Sequence, residues 1–119
     1  MTKYLDATGL TYLWGKITNL FSSKADKVAV VDHGTSDTTF TLTPNIFHKW
    51  GTVTSLNLTL ASGIAGELSE YMFEFVSGTT ATTLTLPSSV AWVDGEPTIE
   101  TGKTYQVSIV DNIALIAGV

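Results

Sequence analysis

The 119-residue sequence contains no cysteine and no arginine. Without cysteine there is no disulfide, no thiolate nucleophile and no zinc–thiolate site. Six scattered lysines against eleven acidic residues form no basic stripe. Nucleic-acid binding needs clustered cations to displace counterions from phosphates, so no such partner is expected. The formal charge of -5 and a sequence pI ≈ 4.7 favour solubility without choosing a partner. No run of about 18 apolar residues occurs, so no membrane-inserted helix is expected. The opening MTKYLDATG lacks a basic region followed by an apolar run, and the reading is of a protein made in the cytoplasm. There is no phosphate-binding loop or glycine fingerprint, no internal repeat and no low-complexity tract.

Against these absences, 44% of the residues are hydrophobic and only 14% are charged, enough to bury a core. Thr and Ser together supply roughly a quarter of the chain, and Thr favours strands. The length suits one domain with a short appendage.

The appendage is the segment 1–27. Asp6 is placed to cap a helix, with Leu5 before it and Leu10 after it spaced as a hydrophobic staple. Leu10, Leu13, Trp14, Ile17, Leu20 and Phe21 then fall on one apolar stripe of a helical period. By propensity this helix is weak. Gly15 costs about 1 kcal/mol relative to Ala, and about 16 residues is near the length at which isolated helices are marginal. Burying the six stripe side chains contributes on the order of 9–18 kcal/mol gross, so the helix is expected only where something covers the stripe. Leu10, Leu13, Ile17 and Leu20 occupy a and d of two heptads, with Trp14 and Phe21 at e, a stripe wide enough for a trimer or a docking groove. Folding back onto its own chain remains the alternative. The polar hinge Ser22–Val28 favours burial between chains.

From residue 28 to 119 short alternating runs recur about every ten residues. They are Val28–Val31, Thr39–Thr43, Thr52–Leu60, Tyr71–Ser77, Thr82–Leu86, Val90–Val93, Thr104–Val110 and Ile113–Ala117. Turn signals separate them, and Asp111-Asn112 has the form of a two-residue hairpin turn. The pattern predicts a mainly β domain, an antiparallel sandwich or small barrel.

Candidate chemistry is sparse. His33, in DHGTSD, reads as part of a solvated turn whose Asp side chains bond their own backbone, and His48 has no evident partner in sequence. Glu67, Glu70 and Glu74 read as outward strand charges rather than a glycosidase pair. Asn57-Leu58-Thr59 fits a glycosylation sequon, which means little without a leader. Trp50 and Trp92 each lie beside a glycine-containing turn, where an exposed ring can stack on a sugar, although most Trp in a small β-domain is core. No metal site and no cofactor are expected.

YLDATGLTYLWGKI resembles the N-terminal signature of small virion appendage proteins of tailed bacteriophages and prophages of gut bacteria. SKADKV is similar to the segment that often follows it in fibre proteins. PNIFHKWG, ELSEYMFEFVSG, TTLTLPSSVAW and IETGKTYQVSIVDNIALI resemble the terminal β-domain of the same group. The resemblance covers nearly the whole chain. It implies a non-enzymatic structural protein of the virion, a homotrimer assembled through its helix and β-domain and attached to other virion proteins of capsid or tail, with the host surface as a further contact. No catalytic residue carries over. The chain lacks the extended shaft of longer members, so head fibre, adaptor and tail tip all remain open. A carbohydrate-binding module for host glycans is the second reading and a hydrolase the third.

Overall fold

The computed structural model describes residues 28–119. The predicted helix, its boundary at residue 27 and the stripe from Leu10 to Phe21 lie outside the described residues.

Nine strands are described. They are β1 (Ala29–Gly34), β2 (Thr39–Leu42), β3 (Ile46–Thr52), β4 (Ser55–Leu60), β5 (Glu70–Val76), β6 (Thr83–Thr85), β7 (Ala91–Trp92), β8 (Thr104–Val110) and β9 (Ile113–Gly118). They form a six-stranded sheet in the order β1-β3-β5-β8-β9-β7 and a three-stranded sheet in the order β2-β4-β6. The mainly β expectation holds.

The expected antiparallel pairing does not. β1–β3, β3–β5, β2–β4, β4–β6 and β7–β9 are all parallel. Only β5–β8 and β8–β9 are antiparallel. Period-two alternation is the same for both pairings, so the sequence pattern could not tell them apart. Short connections suggested hairpins, but from β1 to β6 each links a strand to one in the opposite sheet. A parallel pair needs a long crossover, and β2 is the crossover between β1 and β3, as β4 is between β3 and β5. The first six strands thus wind as stacked coils of two strands each, and β8 and β9 then reverse against β5. The coils differ in length. Val30 pairs with Phe47, 17 residues on, and Phe47 pairs with Met72, 25 residues on. No fixed period exists, so no repeat is visible in the sequence.

β3 is a strand the sequence reading left out. Its inward residues are Ile46, His48 and Trp50, and a histidine in the middle position breaks the apolar alternation. Across the sandwich, fully buried Trp50, Phe73, Phe75 and Ile109 of the larger sheet meet Leu42, Leu56 and Leu58 of the smaller. Trp50 meets Phe73 edge-on with centroids 6.5 Å apart, Phe73 stacks on Phe75 at 6.1 Å, and Phe75 on Tyr105 at 5.4 Å. Such pairs add about 0.5–1.5 kcal/mol each beyond area burial. Buried Thr82 donates its hydroxyl to the Val53 carbonyl at 2.6 Å, and its N–H donates to Ser77 Oγ at 3.1 Å, tying the β5–β6 loop down.

The β8–β9 turn matches its sequence signal. Asp111 and Asn112 have φ of 53° and 61°, the left-handed conformation that two-residue hairpins require. Asn112→Val should therefore destabilise the fold by about 1–3 kcal/mol in urea unfolding, whereas Asn112→Gly should stay within a few tenths of a kcal/mol of the parent. Equal stability of the two variants would refute the turn's role.

Candidate functional site

His33 is the last residue but one of β1, and His48 lies mid-β3; the parallel ladder pairs Val31 with His48 and shifts register between Asp32 and Gly34, where His33 stands beside His48. Asp32 Oδ1 accepts the Gly34 N–H at 2.9 Å, and Gly34 adopts φ 60°, turning the chain out of the strand. Asp37, itself at φ 53°, aims its carboxylate back at His33. The result is a relay. His33 Nδ1 lies 3.0 Å from Asp37 Oδ2, His33 Nε2 lies 3.0 Å from His48 Nδ1, and His48 Nε2 lies 3.1 Å from Thr43 Oγ1.

The partners assign the protons. A carboxylate only accepts, so His33 Nδ1 carries hydrogen toward Asp37. The Thr43 backbone N–H, 3.4 Å from His48 Nε2, only donates, so that nitrogen is bare. His48 therefore holds its proton on Nδ1 and donates it to His33 Nε2, while the Thr43 hydroxyl donates to His48 Nε2. Every polar atom of the two rings is partnered.

Aromatic neighbours enclose the relay. His33 stacks on Trp50 with centroids 4.4 Å apart and lies 4.5 Å from Phe40. The Trp50 N–H donates to the Ser36 carbonyl at 2.8 Å, holding the same turn from beneath. His33 is thus not solvated as expected. Its side chain is 4% exposed while that of Asp37 is 57% exposed. His48, without an evident partner in sequence, has two. The signal that could have found them is the placement of Ile46, His48 and Trp50 at period two, which aims His48 inward.

Chemically the relay is a proton-holding chain with a hydroxyl at its outer end. A hydroxyl on a histidine is one half of a nucleophilic site. No relay residue lines the groove beside β6, however. Its evident work is to bolt the first coil to the second with satisfied polar bonds. Among the described residues no group of three His, Cys, Asp or Glu could hold a metal ion.

The groove, about 530 Å³ and open to solvent, runs along β6, the free edge of the smaller sheet. Thr83 and Thr85 offer hydroxyls, Trp92 and Ile99 apolar surface, and Glu96 a carboxylate. Trp92 is half-buried, whereas Trp50 is fully buried, so only Trp92 stays available for stacking. Glu70 accepts the Ser108 hydroxyl at 2.6 Å, and Glu74 accepts from Gln106 at 2.9 Å and lies 3.7 Å from the Lys49 ammonium. Glu67 is exposed, and Glu70 and Glu74 are held in these sheet contacts.

Burial pushes the His48 pKa below its ordinary value, and His33 beside it pushes in the same direction. The folded state therefore favours neutral His48. The unfolded chain protonates near the ordinary value of about 6.5. Below that pH the unfolded state binds more protons, so stability is full above about 6.5 and falls as pH drops toward the lowered folded value. Urea unfolding from pH 7.5 downward should show this loss, and His48→Gln, though less stable throughout, should show a shallower dependence over the first unit below 6.5. Identical slopes would refute the assignment.

No protein-family model matches the chain, and no match to it is found among curated proteins or among solved structures.

Proposed function

We propose that this chain is a structural protein of a bacteriophage virion, a short head or tail fibre that assembles as a homotrimer. Segment 1–27 and the β-domain together join the copies, and the segment attaches the trimer to other virion proteins of capsid or tail. The β-domain is displayed outward toward the host surface. The protein associates rather than catalyses, needs no cofactor, is made in the host cytoplasm and ends in the particle.

The observation that carries this reading is the stripe of Leu10, Leu13, Trp14, Ile17, Leu20 and Phe21. It lies on a segment too weak to hold a helix alone, and its first four residues fall within the YLDATGLTYLWGKI pattern of the phage group. Light scattering at micromolar concentration should give three times the chain mass of 12.7 kDa. Ile17→Asp places an unpaired charge in the seam and should reduce the mass to that of one chain. A native mass for this variant would remove the seam.

The groove favours a second reading, a module that binds host glycans. Its hydroxyl-bearing strand edge beside Trp92 has the mixed polar and aromatic lining that sugars need. Under that reading Trp92→Ala abolishes glycan-array signals while leaving the mass unchanged, and a blank array with the parent chain refutes it.

A further inference from the structure

The two sheets of the sandwich are unequal, and β6 is the last strand of the smaller one. Its parallel ladder pairs Leu56 with Leu84, and the Thr83 N–H donates to the Thr54 carbonyl at 3.0 Å. Successive residues of a strand aim their backbone groups at opposite sides. Thr83 and Thr85 therefore bond toward β4, while the N–H and C=O of Leu84 face the groove. Among the described residues no strand pairs with that side.

The side chains along this edge are only half covered. Leu84 and Leu86 pack against the core from one wall of the groove, and Trp92 and Ile99 from the other, yet all four remain partly exposed. A strand laid beside β6 would send every second side chain between these walls and the intervening ones outward beside Thr83 and Thr85. Thr82 to Leu86 extends about 13 Å at about 3.3 Å per residue, so the edge accepts a strand of about five residues. Glu96 is the one charged residue lining the groove, and among the described residues it has no ion-pair partner.

We infer that the groove takes an extended peptide segment of another protein, added beside β6 as a fourth strand of the smaller sheet. The slot sets the chemistry of that segment. It carries apolar side chains at every second residue and a lysine or arginine within reach of Glu96. Main-chain bonds to Leu84 hold any such strand, while the half-covered apolar walls and the Glu96 carboxylate select among sequences. A sugar has no strand backbone to meet the Leu84 N–H and C=O together, so a peptide satisfies this edge more fully than the glycan of the second reading. The inference goes beyond the fibre reading and does not rest on it, because a single chain carries the whole slot.

The test follows amide hydrogen exchange by NMR in the full chain, with capped peptides that alternate valine and threonine and carry a lysine at each threonine position in turn. Without peptide, the Leu84 amide should exchange faster than those of Thr83 and Thr85. A lysine peptide should slow Leu84 exchange, and the same peptide N-methylated throughout should bind about tenfold more weakly. Glu96→Lys, at an exposed position, should weaken the lysine peptide by about fivefold and strengthen its glutamate counterpart similarly. Leu84 exchange unchanged by every peptide at millimolar concentration overturns the inference, whether the groove takes a sugar or is filled by the chain's own leading segment. So does a Leu84 amide as protected as its neighbours in the free chain, which would mean that the edge is already covered. Equal binding of the N-methylated peptide overturns it as well, since side chains alone would then hold the ligand.

Discussion

Each of the first six strands must hydrogen-bond to a strand two places away, because its sequence neighbour belongs to the opposite sheet. That constraint shapes the rest of the domain. A backbone committed to parallel ladders cannot close on itself by hairpins, so the stack grows coil by coil and leaves free edges at β1 and β2. Growth stops where β8 returns antiparallel along all seven residues of β5. The tight Asp111-Asn112 turn then lays β9 on β8. β5 is thus both the last coil strand of its sheet and the template for the closing hairpin, and Phe73 and Phe75 are buried from both directions.

The relay follows from the same winding. Ladder pairing of β1 with β3 sets His33 near His48, and the turn after β1 must swing outward before β2 begins. Burying two imidazoles would be costly if any ring nitrogen lacked a partner. Here a carboxylate, a backbone N–H and a hydroxyl occupy the ends, and the rings satisfy each other in the middle. Trp50 seals the arrangement, with its ring against His33 and its N–H on the Ser36 carbonyl. The polar network and the aromatic ladder through Phe73, Phe75 and Tyr105 are one continuous layer. Loosening either end of it would be felt along the inner face of the larger sheet.

Much of this is legible in the sequence. SLNLTL, YMFEF and TYQVSI alternate cleanly, and β4, β5 and β8 occupy those residues with the alternating burial that the pattern implies. What failed were features that alternation does not encode. Pairing direction is invisible to a period of two. β3 was hidden because His48 is scored as polar although its position is a core position. The relay was illegible for a related reason: residues 15 apart in the chain meet only through strand register, and no local spacing template describes them. Trp50 and Trp92 looked alike beside their glycines. Only the place of each strand in the larger sheet, internal for β3 and at the edge for β7, separates a core indole from an accessible one.

The two faces of the larger sheet divide the chemistry between them. Inward, the His33–His48 cluster is closed, each imidazole nitrogen answered by a neighbour. Outward, carboxylates are tied to Ser108, Gln106 and Lys49, and what remains open is apolar surface and strand edge. A sheet that satisfies its charges in plane while leaving valine, leucine and isoleucine wet is organised for contact with something equally apolar. Such a face favours contact through shape and apolar area on physical grounds.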